Sequence, residues 1–542
     1  MKKLFLTISL IALVGCNTTT YPPNAAVPAG WTANATVNDA VLQQRWWEQF
    51  NDPILNQLIR TADAQNLDLK IAATRVRAAR AQLLSVEASY LPNITGAGSV
   101  SRARTSSKTV RGQAAGFTGN LYDVEADATW EFNIFSISPT IEAAKATIKS
   151  VQENQNGVLL SLLGEVANNY IQLRLAQQSL ALTDQTITAY QTALDLASAR
   201  EKVGLVSGLD TSRAQSALET QKAQRPVITA QITAAIRRME VLLGQNPGML
   251  DAQLTPPAAI PVANSPLLLA TPAAVIANRP DVRAAEQNLR ANNATKRVAT
   301  AEYFPSISLP AAFGWQAARP KDMLSGGSLL WSLTAGAAAP IFDFGRIQSN
   351  IDLADANAQQ AFFQYQQSVQ GALSDVETAL SDYLSSVNRA PQLERAVAAD
   401  QTTLQLSQER YDRGLTNYLD VTTAQQALYA EQQAQLQNQS DMAARLVTLY
   451  KTMGGGWQGE SNTTPITAPT AVNVSTNDGA LTAPVSQSVQ SSGPVVPPTA
   501  SSGVNSAPAP APNMAVLPTD IRSNAPHVKT DTNQNKPVMV IE

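Results

Sequence analysis

Two stretches of this chain, residues 140–202 and 346–413, keep helical periodicity for about 60 residues each. At about 1.5 Å of rise per residue, such a helix is roughly 90–100 Å long, far more than a globular domain can cover. It needs partners of similar length. Val166, Tyr170, Leu173, Leu180, Ile187, Tyr190 and Leu194 recur at spacings of three, four and seven, the pattern of coiled-coil-like packing. The body of the protein is therefore elongated. Pro391 falls inside the second run and Pro226 inside the shorter helix after the first, and both are expected to kink their helices.

The chain repeats itself. Gly204, Leu205, Leu209, Asp210, Ala214, Gln215, Leu218 and Gly244 recur as Gly414, Leu415, Leu419, Asp420, Ala424, Gln425, Leu428 and Gly454, a displacement of 210 from 204 to 414 without a gap. Asp68, Ala72, Ala78 and Leu91-Pro92 answer to Asp281, Ala285, Ala291 and Phe304-Pro305, a displacement of 213 from 68 to 281. The reading is two copies of one unit, residues 41–250 and 265–457. Each copy runs in the same order: a helix, two extended stretches, the very long helix, a Gly turn and a last helix. The first helices, residues 54–89 and 272–303, are rich in Ala, Leu, Arg and Gln and are ended by Pro92 and Pro305.

Residues 122–132 alternate cleanly. Tyr122, Val124, Ala126, Ala128, Trp130 and Phe132 fall on one face and Asp123, Glu125, Asp127, Thr129 and Glu131 on the other, as in a strand with one apolar and one acidic side. Residues 304–316 and 329–344 repeat the theme more weakly, with Phe304, Phe313, Trp315, Trp331 and Phe342 near their ends. The Gly- and Ser-rich links at 103–121 and 317–328 are expected to be exposed loops. A soluble amphipathic strand with a solvated acidic face fits the alternation as well as a membrane strand does.

The start of the chain gives an address. Lys2 and Lys3 precede an apolar stretch at residues 4–14, too short for a membrane-spanning helix of about 20 residues and read instead as a signal peptide, residues 1–15. It ends in Leu13-Val14-Gly15-Cys16, which resembles the lipobox of bacterial lipoproteins. Cys16 is the only cysteine, so disulfides are excluded and Cys16 is the expected lipidation site, carrying a diacylglycerol and an N-acyl chain. By analogy with such lipoproteins, Asn17 favours export to the outer membrane. Residues 16–40, rich in Thr, Pro, Asn and Ala, read as a tether, and residues 458–542, dominated by Pro, Ser, Thr, Asn, Gln and Val, as a disordered tail.

An outer-membrane chain without a spanning helix can cross the bilayer only as a closed barrel, because unpaired backbone groups are not tolerated in hydrocarbon. Four strands cannot close alone. Three chains supplying four each would give twelve, with Tyr122 and Trp130 toward lipid and the carboxylates of Asp123, Glu125, Asp127 and Glu131 toward water.

Several segments carry a family resemblance: Trp46-Trp47-Glu48-Gln49-Phe50-Asn51-Asp52-Pro53, Asn278-Arg279-Pro280-Asp281, Pro340-Ile341-Phe342-Asp343-Phe344-Gly345-Arg346, Arg410-Tyr411 followed by Gly414, and Leu449-Tyr450 followed by Gly454-Gly455-Gly456-Trp457. In order and over residues 46–457 the chain resembles the lipoprotein branch of the TolC-like outer-membrane factors. The resemblance implies an α+β membrane protein: a homotrimer whose twelve-stranded transmembrane β-barrel, four strands per chain, continues into a long periplasmic α-helical barrel built from two internal repeats. It also implies partners, a periplasmic adaptor protein and an inner-membrane pump that is expected to be proton-driven. Two departures stand out. Ile134-Phe135-Ser136-Ile137-Ser138-Pro139 replaces the glycine expected after the first-repeat strand, and the tail after Trp457 has no counterpart.

The glycine turns Gly204-Leu205-Val206 and Gly414-Leu415-Thr416 are either ordinary helix ends or the periplasmic tips; the resemblance adds that such tips contact the adaptor. Near the second turn lie Tyr411, Leu419, Asp420 and Thr423. The resemblance makes these the periplasmic gate, with Thr423 standing where relatives often carry a second aspartate. A carboxylate ring there would favour cations. Asp420 also fits a helix-start carboxylate near the dipole, as its twin Asp210 suggests.

Nothing in the sequence reads as a catalytic constellation. The one histidine, His527, lies in the tail, and there is no cysteine or histidine cluster for a metal, no phosphate loop and no nucleophile elbow. Net charge −3 gives no basic surface for nucleic acid. The preferred reading is a passive outer-membrane exit duct for drugs and other small toxic molecules, needing no cofactor. The alternatives are the same duct serving type I protein secretion, a structural lipoprotein spanning the periplasm, and a lipid-anchored enzyme.

Overall fold

A computed structural model of the chain describes residues 20–32, 45–104, 118–263 and 269–458. Every described residue belongs to one unit of the chain, Met1–Thr464. The expected signal peptide, the expected lipidation site Cys16 and the expected tail from residue 459 onward lie outside the described residues.

In chain order a 3-10 turn (Trp46–Phe50) leads to α1 (Pro53–Gln65), α2 (Leu67–Ala88), β1 (Asn93–Arg104), β2 (Thr118–Thr129), β3 (Glu131–Phe132), α3 (Ile134–Lys202) and α4 (Gly208–Leu242). After a short α5 (Asp251–Leu254) come α6 (Pro272–Asn278), α7 (Pro280–Ala301), β4 (Ser306–Ser308), β5 (Ala311–Ala317), β6 (Leu329–Leu333), β7 (Gly336–Ala338), α8 (Arg346–Asp412) and α9 (Tyr418–Thr452).

The two long helices, α3 with 69 residues and α8 with 67, are each about 100 Å long. α3 starts at Ile134, earlier than its periodicity suggests, because the Asn133 side chain accepts a hydrogen bond from Phe135 N at 2.9 Å and caps the helix directly after the strand. The joint before α8 is different. There Phe344 (φ 57°) and Gly345 (φ 87°) turn left-handed, and the Asp343 carboxylate accepts from Gly345 N and Ile347 N. The helices run on through Pro139, Pro226 and Pro391. Each proline removes one ladder bond without ending its helix.

Each of the expected first helices is in fact two. The break falls at Asn66 (ψ 136°) and at Arg279 (ψ 123°). Pro280 excludes Arg279 from the helical region, whereas the Asn66 side chain caps α2 by accepting from Leu69 N at 2.9 Å. Both residues also reach the end of a neighbouring helix: Asn66 Nδ2 donates to Leu242 O at 2.9 Å and Arg279 Nη1 to Thr452 O at 3.1 Å. Left-handed glycines sit beside both breaks. A Cβ on Gly244 would lie 2.7 Å from Gln65 O, and one on Gly454 3.2 Å from Asn278 O.

Next to the strands the helices α2, α3, α7 and α8 lie side by side in that order, and at the far end α3 pairs with α4 and α8 with α9. Between these levels is the main core. Trp46, Leu55, Leu58, Tyr170, Ile171, Leu173 and Met239 are fully buried there, and Trp46 stacks on Tyr450 with centroids 6.0 Å apart. Burying side chains of this size contributes about 1.5–3 kcal/mol each. Asp52 caps α1 through Ile54 N and Leu55 N and accepts the Tyr170 hydroxyl at 2.6 Å, tying the start of the body to α3.

Residues 20–32 of the expected tether are docked on the helices. Asn293 Nδ2 donates to Tyr21 O at 2.8 Å, Trp31 Nε1 to Ala270 O at 2.8 Å, and Thr32 N to Glu377 Oε1 at 2.7 Å. Composition alone suggested a free linker because Thr, Pro and Asn carry little apolar surface. The strap is held mainly by side-chain hydrogen bonds and by Tyr21 packed near Phe362.

The strand at 122–132 is interrupted at Trp130, which leaves β2 and β3 in different sheets. Its indole donates to Tyr90 O at 2.9 Å and so binds the sheet to the end of α2. The later strands are likewise split, at residues 309–310 and 334–335, and Phe304, Phe342 and Phe344 lie outside them. The products are a four-stranded antiparallel sheet, order β1-β2-β5-β6, and a three-stranded one, order β3-β4-β7.

Candidate functional site

The four-stranded sheet has two unlike faces, and its register says which residues share them. Side chains directly opposite one another lie on the same side. Ile94 faces Ala128, Ala311 and Leu333 across the sheet, Gly96 faces Ala126, Phe313 and Trp331, and Gly98 faces Val124, Trp315 and Leu329. This face is apolar over all four strands and open to its surroundings, with Ile94 72% and Trp331 73% exposed. The other face carries Asp123, Glu125 and Asp127 in a row. Gln316 donates to Asp123 at 3.1 Å, and Gly314, opposite Glu125, leaves room that a Cβ would fill at 2.7 Å from Glu125. β1 and β6 are the two edges, and neither has a second neighbour among the described residues.

At the opposite end the helices reverse at Gly204 (φ 75°) and Gly414 (φ 71°). The two turns have the same bonds. Gly204 N donates to Glu201 O and Leu205 N to Arg200 O, while Gly414 N donates to Tyr411 O and Leu415 N to Arg410 O, the paired closure of a left-handed helix cap. No atom lies near either glycine, so backbone conformation alone calls for the missing side chain. Leu205 and Leu415 are 74% and 63% exposed at the extreme end, whereas Val206 turns inward against the tip core and Thr416 is half-buried.

The tip core consists of Tyr190, Leu194, Ala197, Ala214, Leu218, Tyr411, Tyr418 and Val421, drawn from all four helices. Tyr411 and Tyr418 meet edge to face at 5.6 Å. Arg200 joins the hairpins: its guanidinium lies 4.6 Å over the Tyr411 ring, donates to Tyr411 O at 3.0 Å and pairs with Asp412 at 3.1 Å. Burial pushes the Tyr411 hydroxyl above the ordinary tyrosine range, with Arg200 partly offsetting it, and burial raises Tyr190 to about 12. These phenols therefore stay neutral at any physiological pH.

Of the expected gate residues, Tyr411 is buried in this core, while Leu419, Asp420 and Thr423 face outward from the first turns of α9. Asp420 accepts a hydrogen bond from Thr416, and Thr423 Oγ1 donates to Leu419 O at 2.9 Å. The twin Asp210 is instead paired with Arg213 at 4.0 Å and mostly covered. Within the chain it is the Tyr411 carbonyl and ring that bond across helices, through Arg200, rather than its hydroxyl. Arg200, Asp412 and Tyr418 were not singled out by sequence. One signal was available: under the displacement of 210, Arg200 coincides with Arg410.

Among the described residues no helix is long and apolar enough to cross a membrane, and no cluster of His, Cys, Asp or Glu could hold a metal ion.

Comparison with known proteins gives concordant matches along most of the chain. The model of the outer membrane efflux protein family matches residues 58–245 and 271–455. The toluene efflux pump outer membrane protein TtgF of Pseudomonas putida is 31% identical over 486 residues, covering 86% of this chain and 100% of TtgF. The pyoverdine export outer membrane protein OpmQ of Pseudomonas putida is 29% identical over 467 residues, covering 84% and 97%. The solved structure of the outer-membrane channel OprN superposes with a TM-score of 0.74 at 30% identity, over 81% of this chain and 100% of that one.

Proposed function

Because this chain belongs to the outer membrane efflux protein family, we propose that it is the outer-membrane duct of a tripartite efflux system, a passive conduit that exports drugs, solvents and other small toxic molecules. The observation that carries this reading is the union, in one chain, of a sheet apolar on one face and acidic on the other with helices about 100 Å long that close at tyrosine-packed tips. Relatives are named as the outer membrane proteins of a toluene efflux pump and of pyoverdine export, chemically unlike cargoes. A duct without a binding pocket accommodates such range because selection rests with the pump.

The two open sheet edges need partners in the bilayer. Three copies, each supplying four strand lines, close twelve strands with Ile94, Phe313 and Trp331 toward lipid and Asp123, Glu125 and Asp127 toward the water-filled lumen. The two halves of the chain, 41–250 and 265–457, supply two strand lines and one helical hairpin each. Leu205 and Leu415 at the tips meet the periplasmic adaptor, which links the duct to an energised inner-membrane pump. Tyr411, Leu419, Asp420 and Thr423 form the periplasmic gate. Cys16 carries the lipid that holds the strap at residues 20–32 beside the membrane.

The test is accumulation of toluene, dyes and antibiotics in a deletion strain, with the exported proteome recorded from the same cultures. Raised accumulation reversed by the restored gene is the expected result. Normal accumulation with missing exported proteins would move the duct to protein secretion. Cys16→Ala is expected to lose palmitate labelling while the helical body persists.

A further inference from the structure

Two arginines stand on the side of the four-stranded sheet that the proposed duct turns to lipid. That side is layered. Ile94, Ala128, Ala311 and Leu333 form the level nearest the helices, and apolar levels continue away from them to Val100, Tyr122 and Ala317. Beyond these come Arg102 opposite Asn120 and Arg104 opposite Thr118. β1 leaves α2 at Asn93 and ends at Arg104, so both arginines lie at the end remote from the periplasmic helices. We propose that Arg102 and Arg104 bind the phosphates of an anionic glycolipid of the outer leaflet, of the lipid A class, whose acyl chains lie along the apolar levels beneath them.

Their depth fits. At about 3.4 Å per residue and a strand tilt of about 40°, Arg102 and Arg104 stand about 21 and 26 Å above Ile94, where the apolar band of a membrane barrel, about 25 Å tall, gives way to headgroups. In mid-bilayer an arginine on this side would be strongly destabilising. At the boundary its stem covers apolar surface while its guanidinium reaches the headgroups. Two residues apart on one strand, the pair is spaced by about 7 Å. Each planar fork can take two phosphate oxygens at once.

The charge is unopposed. In sequence no acidic residue occurs from Asn93 to Tyr122. Both arginines are exposed, and neither has an ion pair among the described residues. The hairpin joining β5 to β6 opens at the same end and adds Arg319 and Lys321 against a single acid, Asp322, 3.7 Å from Arg319. At the other end of this face the Ile94 level is wholly apolar. A cationic edge at one end only fits a bilayer whose outer leaflet carries phosphate that no headgroup amine neutralises. A soluble phosphate is not the natural ligand, because the arginines share their side with Val100 and Tyr122, whereas Asp123, Glu125 and Asp127 lie on the side turned to water. The inference rests on the outer-membrane placement proposed above.

That placement is read first. Gly326→Cys, in the β5–β6 hairpin with open space around it, is expected to react with an impermeant maleimide on intact cells. Absence of labelling would sink the placement before any lipid is examined. Cells are then to carry a photo-reactive benzoylphenylalanine in place of Asn120, opposite Arg102, or of Ala128, opposite Ile94. A glycolipid adduct is expected at 120 and not at 128; none at 120, or equal yields at both, overturns the site. Finally, the purified full-length protein is to be titrated in detergent with bisphosphorylated lipid A, its monophosphoryl form and phosphatidylglycerol, and weighed by native mass spectrometry. The bisphosphorylated lipid is expected to bind most tightly. Arg102→Gln with Arg104→Gln is expected to weaken it about 25-fold, and the corresponding pair of Arg→Lys changes to fall between. Equal binding of the three lipids, or an unaltered preference in the double Gln variant, rejects the proposal.

Discussion

Arg200, in the last turn of α3, lays its guanidinium 4.6 Å over the ring of Tyr411, in the last turn of α8, and donates to the carbonyl of the same residue at 3.0 Å. One side chain thereby binds two hairpins that are joined elsewhere at the tip only by apolar packing. Replacing Arg200 by Ala removes a stacked, hydrogen-bonded cation that is four-fifths covered, a loss of about 1–2 kcal/mol after allowance for solvent on the Asp412 side. The expected outcome is a several-fold rise in single-channel conductance in planar bilayers. Arg200→Lys, which keeps charge but not the planar fork, is expected to fall between; conductance equal to that of the parent in both variants removes the pair from the closed state.

Asp420 is exposed and held by Thr416 alone. Asp420→Ala is expected to lower cation preference at the periplasmic mouth and to raise conductance modestly. Asp210→Ala, at the twin position but covered and paired with Arg213, is expected to leave ion selectivity unchanged. Reversal potentials in a salt gradient separate the two, and identical shifts would count against the asymmetry.

The glycines of the turns differ in what a side chain would meet. At Gly414, Ala costs only the left-handed conformation, about 1 kcal/mol. At Gly244 it costs that and a Cβ 2.7 Å from Gln65 O. Hydrogen exchange of the Leu415 amide, bonded to Arg410 O, is expected to quicken about fivefold in Gly414→Ala. Gly244→Ala is expected to lower the thermal midpoint of the whole body, and a smaller drop than in Gly414→Ala would contradict the contact.

Burial pushes the Asp281 carboxyl upward, but the Arg279 guanidinium, at 2.6 Å, and Val282 N outweigh it and hold Asp281 below the usual carboxylate range. A depressed carboxylate stabilises the fold above its unfolded pKa and loses that contribution as pH falls through the folded one. The junction of α6 and α7 is therefore expected to weaken below about pH 4. Asp281→Asn is expected to flatten that part of the acid-unfolding curve; an unchanged curve would mean the pair adds nothing to stability.

Much of the molecule was legible because it is written in local periodicity. The heptad-like spacing from Val166 to Leu194 announced α3, the gap-free displacement of 210 announced matching turns at Gly204 and Gly414, and strict alternation from Tyr122 to Ala128 announced β2. Each signal depends on backbone geometry that repeats every two or every 3.6 residues. The breaks at Asn66, Arg279 and Trp130 carried no such signal. They depend on partners far along the chain, Leu242, Thr452 and Tyr90, that only folding brings near.

The sequence by itself determined the lengths of the helices, the two-sidedness of the strands and the family to which the chain belongs, since these follow from order along the chain. Tertiary structure alone decided that residues 20–32 form a docked strap, that Arg200 joins the two hairpins at the tip, and that Ile134 and Lys149 share a groove with Arg290. Those choices depend on hydrogen bonds and packing between residues tens to hundreds of positions apart, and such pairings are set by how the long helices lie against one another, which no local pattern encodes.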